Sequence, residues 1–370
     1  WLHKEVRRKV EEVFLRNDDQ NGLATYYEGW IKKHPDDIDA IARRARVLAS
    51  LGRAPEAREA LTAAVKLAPS RKELRLALVE QLVAEKKFGE AAGQYEEMAK
   101  TDPGNPDTIR DWGRLILRDP ARPEVERKQA AATVWRKLLE ARPKDAGVAA
   151  QVAELFRKAE LNDEALSLYR KAVGLAPDAP QFREYLGENL HSQKRGEEAL
   201  TAWSAMAEGP NRTAPNLARL AEVLSGFGYR KEAEKVAAEA VGMDPKSFEP
   251  RIKHADLLAQ LERYDEALAE LDAAEPLADD PEQREAVLTA RIKDLQAGGK
   301  LGAMIETLKG ELNAGKEATS ERYLKLARYD EAAQRLPDAL AAIRKAIELE
   351  PKSVPAHVAA ARFEESSGNL

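Results

Sequence analysis

The chain has 370 residues, 33% of them charged and 6% aromatic, with 59 Lys and Arg against 64 Asp and Glu and no cysteine. This near-balance gives no electrostatic footprint for nucleic acid or an anionic membrane. The missing cysteines exclude disulfides, thiolate zinc sites and thiol nucleophiles; they leave the compartment open, with the cytoplasm slightly favoured. No run of about 18 apolar residues predicts a transmembrane segment. A composition rich in Ala and Leu and poor in aromatics predicts an all-α chain of short amphipathic helices, and a repeat array is the way such a length escapes the limit of a single core.

In chain order, "WLHKEVRRKVEEVF" reads as an amphipathic helix with Val6, Val10, Val13 and Phe14 on one face rather than as a signal peptide. Its start at Trp1 predicts a piece of a larger protein. From there apolar segments end at Pro35, Pro69, Pro103, Pro143, Pro177, Pro245 and Pro351, with gaps of 34, 34, 40, 34, 68 and 106 residues. Twelve residues before most of these prolines lies a small residue: Ala57, Ala91, Ala165, Ala199, Ala233, Ala267 and Ala339, with Ala131 in an expanded unit. Each unit thus reads as two helices, a short turn and a terminating proline. The units span approximately 4–37, 38–71, 72–105, 106–145, 146–179, 180–213, 214–247, 248–281, 282–318 and 319–353, with an incomplete one at 354–370 that stops at Gly368, where the next hairpin would turn. One such hairpin cannot bury its apolar stripe alone, so neighbours must stack.

"YDEALAEL" and "ALAAIRKAIELEP" carry small, aromatic and proline positions that resemble the tetratricopeptide-repeat family. The resemblance covers essentially the whole chain and implies a right-handed α-α superhelix, a single solenoid over 1–370. Leu23 and Met304 stand at the small position of the first and ninth units, where looser packing is expected.

The resemblance also implies that first helices line a concave groove, with their fifth and ninth residues facing a bound segment. In the first four units these are Arg8 and Glu12, Ala42 and Arg46, Leu76 and Glu80, and Arg110 and Arg114, a basic segment at Arg46, Arg110 and Arg114. The next four give Ala150 and Glu154, Glu184 and Glu188, Ala218 and Glu222, and Ile252 and Asp256. Five acids and no base predict an acidic groove suited to a basic peptide, with apolar gaps at Ala218 and Ile252; the competing reading is that these acids pair with lysines and arginines of neighbouring helices. The Lys and Asn of the family's chaperone-tail clamp have no counterparts at Ala42, Arg46, Leu76 and Glu80, so acidic chaperone tails are not expected partners.

No catalytic, cofactor or metal residues are expected. His3, His34, His191, His254 and His357 are dispersed, and "QAGGKLGAM" lacks the spacing of a phosphate loop and reads as a helix-to-helix turn. "NRT" at 211–213 is only a formal glycosylation match. Trp30, Trp112, Trp135 and Trp203 fall on packing positions. The expected function is a non-catalytic protein-interaction scaffold. The alternatives are a structural arm of a multidomain or coat-like assembly, self-associating through uncapped ends, or the regulatory region of an enzyme.

The six extra residues of the fourth unit are expected to lengthen a second helix starting at Pro123, with Val125, Ala132, Trp135, Leu138 and Leu139 packing. Arg118, Arg122, Arg127 and Lys128 are expected at the edge away from the groove.

Overall fold

A computed structural model describes residues 2–366, with side chains described for 5–365. The described residues are helical, with no strand. The hairpins are α1 (Leu2–Arg16) with α2 (Gln20–Lys33), α3 (Ile38–Ser50) with α4 (Ala54–Leu67), α5 (Lys72–Ala84) with α6 (Phe88–Thr101), α7 (Pro106–Leu117) with α8 (Glu124–Ala141), and α9 (Ala146–Lys158) with α10 (Asn162–Leu175). They continue as α11 (Pro180–Ser192) with α12 (Gly196–Ser204), α13 (Ala214–Gly226) with α14 (Arg230–Met243), and α15 (Phe248–Gln260) with α16 (Tyr264–Ala274). The last elements are α17 (Pro281–Ala297) with α18 (Leu301–Asn313), α19 (Ser320–Ala332) with α20 (Leu336–Leu349), and α21 (Val354–Ser366). The turn expected at Gly368 and the side chain of His3 lie outside the described residues. Two compact units emerge, one within Trp1–Pro177 and Glu188–Arg195, the other within Asp178–Gly187 and Gly196–Leu370.

Local chemistry sets the boundaries. Asp37, Asn105 and Asp145 accept the backbone N–H three residues on and so cap α3, α7 and α9. Second helices end where proline forbids the next helical residue: Ala68, Asp102, Arg142 and Ala176 each precede one and leave the helical region at φ between −142° and −136°. Within the hairpins, the turn is closed by one left-handed residue, such as Gly52, Lys86, Glu160, Glu262 or Gln334. In these turns the N–H five residues on reaches back to a first-helix carbonyl, as in Arg53 to Leu48, Lys87 to Leu82, Leu161 to Phe156 and Arg263 to Leu258.

The periodic alanines form the contact line. Ala57, Ala91, Ala131, Ala165, Ala199, Ala233, Ala267 and Ala339 are all 0% exposed, because any larger group would separate the helix backbones. Leu23 departs from the expected looseness: it is fully buried with Tyr27 and Ala40 in a local core. Met304 is not the packing residue of its unit. The turn keeps the usual register, with Lys300 donating to the Leu295 carbonyl and Met304 to that of Lys300 as Arg53 and Ala57 do in their hairpin. But Met304 is half-buried and the next residue, Ile305, is fully buried, with Leu301, Leu308 and Leu312 on the same stripe.

The surplus of the fourth unit is divided between helix and loop. The 18-residue α8 is four longer than α4, α6 or α10, and the rest widens the connection at 118–123. No left-handed residue closes this turn; Asp119 accepts the Ala121 N–H, and Arg127 donates to the Leu117 carbonyl. Pro123 caps α8 rather than opening it. Val125, expected to pack, is 67% exposed because it sits on the projecting first turn. The basic edge is largely answered from within: Arg122 meets Asp119, and Lys128 bridges Glu124 and Glu160.

Candidate functional site

The first-helix face is built on a backbone position that recurs. The eighth residue of a first helix is glycine where a second-helix tryptophan faces it, Gly113 in α7 opposite Trp135 and Gly187 in α11 opposite Trp203. Trp135 packs on Gly113, and its indole N–H donates to the Arg110 carbonyl at 3.2 Å; Trp203 packs on Gly187 and donates to the Glu184 carbonyl, also at 3.2 Å. Tryptophans thus anchor from behind the backbone of the very residues placed in the groove register. Trp112, Trp135 and Trp203 are buried, and Trp30, half-buried, donates to Asp37 at 3.0 Å.

In the first unit a pocket of about 280 Å³ opens between α3 and α5. Its walls carry Ala42, Arg46, Arg43 and Asp39 from the α3 side, and Arg71, Glu73, Leu74 and Ala77 from the α5 side. Arg43 is held by Glu11 at 2.7 Å and Arg71 by Asp39 at 2.9 Å. Arg46 is exposed and makes no ion pair among the described residues. The other members of the basic segment are engaged: Arg110 lies on Asp111 and Asp107, and Arg114 is 3.6 Å from Asp111. Arg8 pairs with Glu12 at 3.3 Å.

The acidic register is not an open stripe of negative charge. Glu154 accepts two hydrogen bonds from Arg157 at 2.7 Å, one from the Tyr169 hydroxyl at 2.9 Å, and pairs with Lys158 at 3.2 Å. The Arg157 bonds, outweighing burial, hold its carboxyl down to about 2. In the second unit a charge ladder crosses three successive first helices. Glu184, buried on α11, accepts from Arg219 of α13; Arg219 also reaches Glu222 at 3.0 Å; and Glu222 accepts from Lys253 of α15. Burial pushes the Glu222 carboxyl up, but the bonds from Lys253 and Arg219 outweigh it and leave it below its ordinary value. Glu188 and Asp256 are exposed, Asp256 accepting from Gln260 at 2.7 Å, while Ile252 is half-buried against Ala255, Leu271 and Val287. Arg157, Lys158, Arg219 and Lys253 thus stand beside Glu154, Glu184 and Glu222, three of the five acids of the register. The period carried their signal: Glu184 to Arg219 is one repeat plus one residue, which places a cation beside the fifth position of the preceding unit.

Among the described residues no group of three or more metal-ligating side chains is brought together, and no helix is long and apolar enough to cross a membrane. His254 is buried between Glu234 and Glu270, at 3.5 and 3.3 Å, as part of the packing of α14, α15 and α16.

Stacked helical hairpins with small residues at their contact line, proline-terminated second helices and a side-chain register on the first helices define a tetratricopeptide-repeat solenoid. The Tetratricopeptide repeat family profile matches residues 42–106, 124–180 and 151–215, and the chain belongs to that superfamily. It is similar to Anaphase-promoting complex subunit 7 of Mus musculus and of Homo sapiens, each 26% identical over 182 residues, 49% of this chain. The matched stretch spans 31% of the length of these relatives. The solved structure of Naa15/Naa10 bound to HypK-THB shares the fold with a TM-score of 0.50 at 17% identity, covering 100% of this chain and 61% of that one.

Proposed function

We propose that the chain is a non-catalytic interaction scaffold that holds a protein segment along the first-helix face. The observation that carries this reading is the pocket between α3 and α5, which lies in the groove register and presents an unpaired Arg46 above Ala42, Leu74 and Ala77. Arginine beside a small apolar floor is the combination that concentrates binding energy at protein interfaces. The preference for a basic segment rests on the exposed Asp256, since Glu154, Glu184 and Glu222 already hold cations of their own.

Affinity capture with Arg46→Glu and Asp256→Lys tests the reading. At least one variant should lose about thirtyfold in affinity, the size of an interface hot spot, with helicity unchanged. Capture unaffected by either would instead favour a second reading, in which the chain is a structural arm of a multi-subunit assembly and uses other surfaces. That reading draws support from relatives named as a subunit of the anaphase-promoting complex, and from the exposed Val6 and Val13 of α1 and Val354 and Val358 of α21, which offer apolar contacts for self-association.

A further inference from the structure

Asp330 stands where the other first helices bury a hydrocarbon. The eleventh residue is Leu48 in α3, Leu82 in α5, Phe156 in α9, Leu190 in α11, Leu224 in α13 and Leu258 in α15, all buried. The backbone fixes the equivalence: Asp330 receives the Arg335 N–H on its carbonyl, as Leu48 does from Arg53 and Leu258 from Arg263. Yet the residue in α19 is a carboxylic acid with 0% exposure. Neither of its carboxylate oxygens accepts a well-formed hydrogen bond.

Its surroundings are apolar. Around it α18, α19 and α20 pack Leu308, Leu312, Leu326, Ile343 and their neighbours. From α18 the facing charge is Lys309, whose ammonium is 3.4 Å from one Asp330 oxygen but only 2.8 Å from Asp338. From the start of α20 come Asp338 itself and Arg335, which is tied to Glu306 at 2.7 Å. From α17 the contacts with α19 are Glu285, paired with Arg328 at 2.7 Å, and neutral Gln296, donating to the Ala332 carbonyl, and on α19 itself the half-buried Glu331 lies 3.9 Å from Arg328. On α17 Arg291 is held by Asp272 and Glu275, and Asp294 is separately buried. Asp330 therefore shares its nearest cation, Lys309, with a better-placed competitor, while the second, Arg335, is committed to Glu306.

We propose that Asp330 makes α18–α20 a proton-responsive element of the solenoid: loosened while the carboxylate is ionised, locked when it takes up a proton. A buried carboxylate without adequate partners destabilises the folded segment, whereas the neutral acid can donate a hydrogen bond and lies more comfortably among leucines. Burial raises the Asp330 carboxyl above its ordinary value. The folded form then binds a proton more tightly than the unfolded form does. Stability of the segment consequently rises as pH falls through the raised midpoint, the reverse of the behaviour of Glu154 and Glu222.

Hydrogen exchange of the full chain, corrected for intrinsic rates, tests this at about pH 7 and about pH 4. Peptides covering α18–α20 should gain about threefold in protection on acidification relative to peptides from α9 and α10. Asp330→Asn should hold the higher protection at both values and lose the response, while Asp294→Asn should keep it. Lys309→Met should steepen the response, since it removes the nearest compensating charge. Wild-type protection that stays level or falls on acidification would overturn the proposal without recourse to any variant. So would a response that survives in Asp330→Asn.

Discussion

Gly113→Ala is expected to destabilise the first unit by about 1–3 kcal/mol, the range for overpacking a filled core, with a lower midpoint in thermal or denaturant unfolding. Helix propensity argues the other way, since alanine is worth up to about 1 kcal/mol over glycine inside a helix. Sterics win because the added Cβ would lie 2.1 Å from Trp135 Nε1. The indole is not free to retreat, being buried and bonded to the Arg110 carbonyl. Gly93→Ala on α6 is the contrast, since a Cβ there meets nothing within 4 Å; it should be neutral or slightly stabilising. Adding Trp135→Tyr to Gly113→Ala should recover much of the loss, as α9 with α10 already combines Ala153 with Tyr169. A double mutant no better than the single would show that the clash lies elsewhere.

Arg219→Met should cost the second unit about 1–3 kcal/mol, the range for hydrogen bonds to charged groups. Exposure of 54% of the Arg219 side chain places the expectation toward the lower end. The loss is not that of an ordinary surface pair, for it strands Glu184, which is buried and takes its ion pair from Arg219. The exposed Arg53 and Glu56 pair, three residues apart on one hairpin, is the internal comparison, and its removal should leave the urea midpoint essentially unchanged. Glu184→Gln in the Arg219→Met background should restore stability by removing the stranded charge. The Glu222 contribution follows from its lowered carboxyl: it is complete above the ordinary carboxylate range and fades as pH falls through the folded midpoint. Urea midpoints for the four proteins would decide the matter; equal losses at Arg219 and Arg53 would refute a special role for the ladder.

The architecture was legible because it is written many times. One proline or one alanine says little, but Pro35, Pro69 and Pro103 at equal spacing, each preceded by Ala or Leu at the same offset, overdetermine the hairpin. The misjudged positions are those where a unit departs from its sisters. Counting placed Met304 at the backbone position of Ala57, yet the fully buried side chain there is that of the next residue, Ile305. Val125 matched an apolar stripe that continues beyond the neighbouring helix able to cover it. At the groove, the fifth and ninth positions located Glu184 and Glu222 but gave no view of what lay beside them. Pairing depends on the sixth position of the next unit, occupied by Arg219 and Lys253, and that offset appears only when units are compared across the period.

The ladder also bears on how a partner of this face would arrive. Charges answered inside the fold cast little field into solvent, so encounter would proceed by unsteered diffusion, at about 10⁵–10⁶ M⁻¹s⁻¹ rather than the much faster rates of oppositely charged surfaces. Added salt would then change the association rate little. Selectivity among partners would be expressed in residence time, through how long a segment stays seated against Ala218 and Ile252, and not in how quickly it is found.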